Sequence, residues 1–170
     1  VIFGNHDVYK VGKHSASTPQ QHQRLLAGQK AKVKVESSPT CKVHVLVMEE
    51  VTVCGLRIYG SSWWPGRGHT GRKMRKGDEC WNTIPRGVDV LMTHGPCTGK
   101  AWVVPELPGT VRRVKPGLHL CGHVHGSNNR GKARKLHRTL CVNSSLATNW
   151  GKALGRRAHL LAGRPGGGFR

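Results

Sequence analysis

Apolar residues gather along this chain in short runs that stop abruptly at glycine and histidine. Leu118-His119-Leu120-Cys121-Gly122 predicts a buried strand, and it runs into His123-Val124-His125-Gly126. Val88-Asp89-Val90-Leu91-Met92 predicts another, which ends in Thr93-His94-Gly95-Pro96. Val1-Ile2-Phe3 has the pattern of the end of a central strand, and it breaks into Gly4-Asn5-His6-Asp7. Thr139-Leu140-Cys141-Val142 predicts a further strand with Asn143 and Ser144 at its end. From Cys41 to Glu49, Val43, Val45 and Val47 alternate with Lys42, His44 and Leu46, a strand pattern that puts His44 on the surface. Val51–Val53 and Leu56–Tyr59 flank Cys54-Gly55, which signals a hairpin.

Helical signals are fewer. Gln20 to Lys32 predicts a short helix with Leu25 and Leu26 facing inward. Thr110 to Val114 predicts one helical turn, stopped by Pro116 and Gly117. Residues 97–110, 66–76 and 128–137 read as loops, the last two strongly basic. Trp63 and Trp64 are adjacent, so one strand cannot turn both toward one core. Either one of them lines a groove or both pack on the sheet edge.

Candidate chemistry lies where the apolar runs stop. In an α/β sheet, sites assemble at the carboxyl ends of the strands, and here three such ends carry histidine and one carries asparagine. Imidazole and amide side chains brought together there make a metal cluster. If strand register continues past Gly122, His123 and His125 point the same way; if it breaks, the loop can still wrap both around one centre.

Composition adds two constraints. The chain has 170 residues, room for one domain, with 28 Lys and Arg against 8 Asp and Glu, a formal charge of +20. That balance favours phosphate-bearing or anionic partners, nucleic acid among them, but no nucleic-acid-binding motif accompanies it. Six cysteines stand singly, without Cys-x-x-Cys, which fits a reduced, intracellular, cytoplasmic setting. Cys121 and Cys141 fall inside apolar strands, where a thiol acts as a small hydrophobe. No apolar run approaches ~20 residues, so no spanning helix is predicted.

Gly4-Asn5-His6-Asp7, Thr93-His94-Gly95-Pro96 and Gly122-His123-Val124-His125 resemble, in order and rough spacing, the motifs of the calcineurin-like metallophosphoesterases. Val51–Gly60, Ile84–Pro96 and Val111–Pro116 are similar to the small brain-type subgroup of that family. The likeness covers residues 1–150 and leaves 151–170 as a basic, glycine-rich, disordered tail. It implies an α/β fold, the four-layer αββα sandwich of metal-dependent phosphatases. It also implies hydrolysis of phosphoesters, phosphodiesters by subgroup, on two divalent ions (manganese, iron or zinc). By the same resemblance Asn5, His94 and His123 bind one ion and His125 the other, while His6 protonates the leaving oxygen with Asp7 beside it. A tryptophan here, Trp63, borders the site, and Asn143 ends a nearby strand.

The family's Asp-x-His motif and its bridging Gly-Asp aspartate have no counterpart before Asn5. Gly77-Asp78 follows a basic stretch rather than a strand and is a decoy; Asp89, inside a strand, is structural. With Val1 already inside an apolar run, the expectation is an amino-terminally truncated piece lacking its first strands. Such a piece is marginally stable, binds at most one metal weakly and hydrolyses poorly. The alternative is a degenerate phosphoesterase fold that serves as a basic nucleic-acid- or anion-binding module.

Overall fold

The computed structural model describes residues 1–2, 4, 19–32, 42–63, 78–99, 103–125 and 133–145. They form helix α1 (Pro19–Lys32), strands β1 (Glu49–Val53) and β2 (Leu56–Ser61), helix α2 (Asp78–Asn82) and strand β3 (Val90–Thr93). Helix α3 (Leu107–Val114) and strands β4 (Leu118–Cys121), β5 (Ala133–Leu136) and β6 (Thr139–Asn143) follow. The six strands make one mixed sheet in the order β1-β2-β3-β4-β6-β5. The fold is therefore α/β, as expected. The second sheet of a four-layer sandwich is not among the described residues.

The four inner strands run parallel, and β1 and β5 are antiparallel edges. Inner parallel strands are covered on both faces, which is why their sequences read as nearly continuous apolar runs. On one face Leu91 and Cys141 join Tyr59 in a cluster with Trp81 and Ile84, at and just after α2, and with Leu107, Val111 and Val114 of α3. On the other, Val90, Leu118 and Val142 pack with Ile58, Met92, Leu120 and Leu140.

Helix α3 is longer than the single turn predicted. Pro108 sits in its first turn, where a missing N–H costs nothing, and Leu107, Thr110, Val111 and Val114 make one buried stripe. Lys115 ends it in a left-handed conformation, its N–H bonded to the Val111 carbonyl at 2.8 Å, just before Pro116. Arg113 reaches from this helix to the carbonyls of Trp81 and Ile84 at 2.6 and 2.9 Å and ties it to the end of α2. The Cys54-Gly55 hairpin is present, both residues at positive φ, as a two-residue turn between twisted strands requires.

Three expectations are corrected. Residues 42–46 are irregular and regular pairing begins only at Glu49. Leu46 and Val47 are neighbours yet both buried, and Met48 has φ of 50°, so the two-residue alternation breaks. Val1 and Ile2 lie outside the six-stranded sheet. The Val1 amine bonds the His44 carbonyl at 2.7 Å and Leu46 N–H bonds the Val1 carbonyl at 2.8 Å. Ala133–Leu136, read as loop, is edge strand β5; three of its four residues are exposed, so only pairing with β6 betrays it. Helix α1 holds Leu26 buried and is tied to β1 by a Lys30–Glu49 ion pair. No helix among the described residues is long and apolar enough to cross a membrane.

Candidate metal centre

The register places Ser61, Thr93, Cys121 and Asn143 side by side at one sheet edge. Residues that follow them on β3, β4 and β6 therefore emerge together. Gly122 N–H bonds the His94 carbonyl at 3.0 Å, which carries the β3–β4 pairing one step past the strands. Register then breaks. His123 has φ of 63°, and Val124 N–H bonds back to the Gly122 carbonyl at 2.7 Å, so a γ-turn is centred on His123. A positive-φ γ-turn at a residue with a Cβ is strained, and such strain gathers at functional sites.

The turn swings the His123 ring onto His94. His123 Nδ1 and His94 Nε2 stand 3.0 Å apart, the ring centroids 4.8 Å apart and the planes at 68°. Two nitrogens bound to one ion at ~2.0–2.1 Å, subtending roughly 90–110°, would be about 2.8–3.4 Å apart. The pair therefore has the spacing of two neighbouring ligands on one ion. Both residues are half-buried.

Asn143 holds this loop from β6. It is buried; its Nδ2 donates to the Val124 carbonyl at 2.8 Å and its Oδ1 accepts the Ser145 N–H at 3.0 Å. Ser144 adds its N–H and its hydroxyl to the Cys121 carbonyl at 2.7 and 3.0 Å. The Asn143 amide thus ties the backbone between the two histidines of the His-x-His pair, through Nδ2, to the turn after β6, through Oδ1.

No protein-family model matches the chain. Metallophosphoesterase domain-containing protein 1 of Homo sapiens is 48% identical over 89 residues, 45% of this chain and 27% of that protein. The Mus musculus protein of the same name gives the same figures. A UPF0046 protein of Caenorhabditis elegans is 32% identical over 160 residues, 83% of this chain and 55% of that protein. This chain is thus similar to metallophosphoesterase-domain proteins. It spans about a quarter to just over half of the length of these relatives.

Of the site that this likeness implies, the structure describes a part. His94 and His123 are brought together. His125 follows in the same loop, half-buried, but does not join them in a three-ligand group. Asn5, His6 and Asp7 lie outside the described residues. Trp63 is 1% exposed and packs within the apolar cluster. Asp78 opens helix α2 rather than following a strand. Asp89 is structural, its carboxylate accepting the Arg57 N–H at 2.8 Å. It precedes β3 whereas His94 follows it, a separation of roughly 16 Å along the strand.

A second cluster escaped the sequence reading. Cys97, His119 and Cys141 are buried with their ligating atoms within 4.8 Å of one another, the one such group among the described residues. His119 and Cys141 are register partners on β4 and β6, while Cys97 arrives from the loop after His94. The sole local sign was a histidine inside an apolar strand. Cys121, by contrast, behaves as the expected small hydrophobe: burial, then the neighbouring Cys141, pushes its thiol up to about 12.

Proposed function

We propose that this chain carries a phosphoesterase metal site in which His94 Nε2 and His123 Nδ1 grip one divalent ion. The 3.0 Å approach of those two nitrogens carries the proposal, and the family relatives support the reaction class. Bound there, the ion would supply Lewis acidity to a phosphoryl oxygen and a water of lowered pKa.

The remaining roles belong to the chain's own residues. His94 and His123 present neutral nitrogens, so the one hydrogen shared between them in the metal-free pair must leave when an ion enters. Asn5 offers an amide oxygen to that ion. His6, with Asp7 beside it, delivers a proton to the departing oxygen. Asn143 fixes the loop that aims His123. The ligands named for this ion are all neutral, and beside neutral ligands a second dication would meet uncompensated repulsion, so the proposed site takes one ion. The substrate class is a phosphodiester.

The test is hydrolysis of a generic aryl phosphodiester, with an aryl phosphomonoester for comparison, in the presence of manganese. His94→Ala and His123→Ala should each lower diester turnover by about a hundredfold or more, the usual scale for loss of a group acting in the transition state. Calorimetry should count one manganese per chain. Turnover that survives both substitutions, or two tight manganese sites, refutes the proposal.

A further inference from the structure

Beneath the sheet edge, the Cys97–His119–Cys141 cluster has the features of a metal site in its own right. His119 is fully buried. Its Nε2 lies 2.8 Å from Thr93 Oγ1, and that hydroxyl lies 2.6 Å from the Gly95 carbonyl. A carbonyl can only accept, so the Thr93 hydrogen points to Gly95 and Thr93 Oγ1 accepts from His119. The hydrogen of the neutral ring is therefore on Nε2, and the lone pair of Nδ1 faces Cys97 Sγ at 3.1 Å. Cys97 Sγ is in turn 3.3 Å from Cys141 Sγ. An imidazole oriented by a hydrogen bond on one nitrogen, with the other aimed at thiols, is how metal-ligating histidines are held.

We propose that Cys97 Sγ, Cys141 Sγ and His119 Nδ1 bind one thiophilic d10 ion, Zn2+ by preference, at a structural site separate from the phosphoesterase edge. Charge selects zinc. Two thiolates and a neutral imidazole cancel a dication, so the loaded site buries no net charge, whereas the same ligands on a monovalent ion leave a buried anion. Size agrees as well. Around a tetrahedral zinc, two sulfurs stand about 3.8 Å apart and a sulfur and a nitrogen about 3.6 Å. The present separations are shorter by roughly half an ångström, within the reach of small χ1 adjustments. Binding replaces two S–H bonds by two Zn–S bonds and releases two protons, so affinity falls by up to about a hundredfold per pH unit as the medium is acidified. The three ligands come from the β3 exit loop, β4 and β6, the elements that carry His94, His123 and Asn143. Zinc there would pin the floor of the phosphoesterase centre.

The test is cobalt(II) titration of the anaerobically reduced full chain, followed by zinc. One cobalt per chain should bring a thiolate-to-metal charge-transfer band that zinc abolishes. The band should persist in His94→Ala and His123→Ala, whose rings meet each other at the edge, and vanish in the Cys97→Ser/Cys141→Ser double variant. Should that variant not fold, X-ray absorption of the zinc-loaded parent decides, with sulfur at ~2.3 Å expected in the first shell. A reduced parent without the band, a band that survives loss of both cysteines, or a zinc shell free of sulfur overturns the proposal. None of these outcomes depends on phosphoester turnover.

Discussion

Removing the Asn143 side chain should loosen the candidate metal centre without touching a metal ligand. Asn143→Ala deletes the bond to the Val124 carbonyl at 2.8 Å and the bond from the Ser145 N–H at 3.0 Å. Each neutral hydrogen bond contributes about 0.5–1.5 kcal/mol net, and Asn143 is only 8% exposed, so water replaces neither partner well. The expected loss is about 2–3 kcal/mol in urea unfolding, seen as a lower midpoint at unchanged slope. Manganese affinity should fall too, because the γ-turn at His123 loses its anchor. Asn143→Asp sharpens the test. The introduced carboxylate can still accept from Ser145 but must set its second oxygen against the Val124 carbonyl. Burial and that repulsion raise its pKa in the folded state above the unfolded value of about 3.9. An acid whose folded pKa is raised favours folding when protonated. The deficit of this variant relative to the parent should therefore shrink as pH falls from about 7 to about 4. A loss below about 0.5 kcal/mol for Asn143→Ala, or a deficit for Asn143→Asp that does not narrow in acid, refutes the account of this residue as the brace of the His-x-His loop.

His123→Gly should be more stable than His123→Ala by about 1 kcal/mol, since glycine takes the positive φ without a Cβ penalty, while both abolish metal binding; equal midpoints would mean the turn is unstrained. Gly60→Ala should cost about 2–3 kcal/mol, because a Cβ there would stand 2.4 Å from Leu46 Cβ and 2.9 Å from Ile2 Cγ2; a midpoint within error of the parent contradicts the close approach of Val1-Ile2 and 44–46 to β2. Burial acts to raise the pKa of Glu49, but its bonds from Lys30 and the Val47 N–H prevail and lower it. A depressed carboxyl contributes stability above its unfolded pKa and loses it as pH falls through the folded one. Glu49→Gln should therefore cost under about 1 kcal/mol at neutral pH, its side chain being 40% exposed, and nothing in strong acid; a difference from the parent that persists at low pH would refute the ion pair's part.

The inner sheet was legible because each parallel strand is buried on both faces, so Leu118–Cys121 and Val90–Thr93 announce themselves as apolar runs that stop. The same stops marked His94 and His123. Strand β5 was not legible, since Ala133, Arg134 and Lys135 are exposed and an edge strand needs no apolar face. Residues 41–49 misled for the opposite reason, because Val43, Val45 and Val47 alternate in sequence while Val43 is exposed and Val47 buried. Pro108 and Gly109 concealed the start of α3, although proline in a first turn is a helix signal as much as a loop signal. The Cys97–His119–Cys141 cluster could not be read from spacing. Its members meet through the register of β4 on β6, which is settled only when the sheet is assembled.

The strand alternation also explains why two ligating clusters share so little chain. His119 and Cys121 point to the helix-covered face of β4, and continued register would send position 123 the same way, into the interior. The γ-turn at His123 prevents this and directs the ring to the edge, against His94. On β3 a parallel change occurs within Thr93–Cys97: Thr93 faces inward to His119, His94 lies at the edge, and the loop returns Cys97 to the interior. The Thr93–Gly95 and Thr93–His119 bonds thus fix the base of the segment that bears His94. It follows that Thr93→Val, which keeps the shape but removes the hydroxyl, should disturb both clusters. It frees His119 Nε2 and leaves the Gly95 carbonyl without its partner, a buried loss of about 2 kcal/mol. It should weaken manganese binding at His94–His123 and cobalt binding at Cys97–Cys141 in the same protein. If either site keeps its parental affinity, Thr93 does not link the interior to the edge and the two clusters are independent.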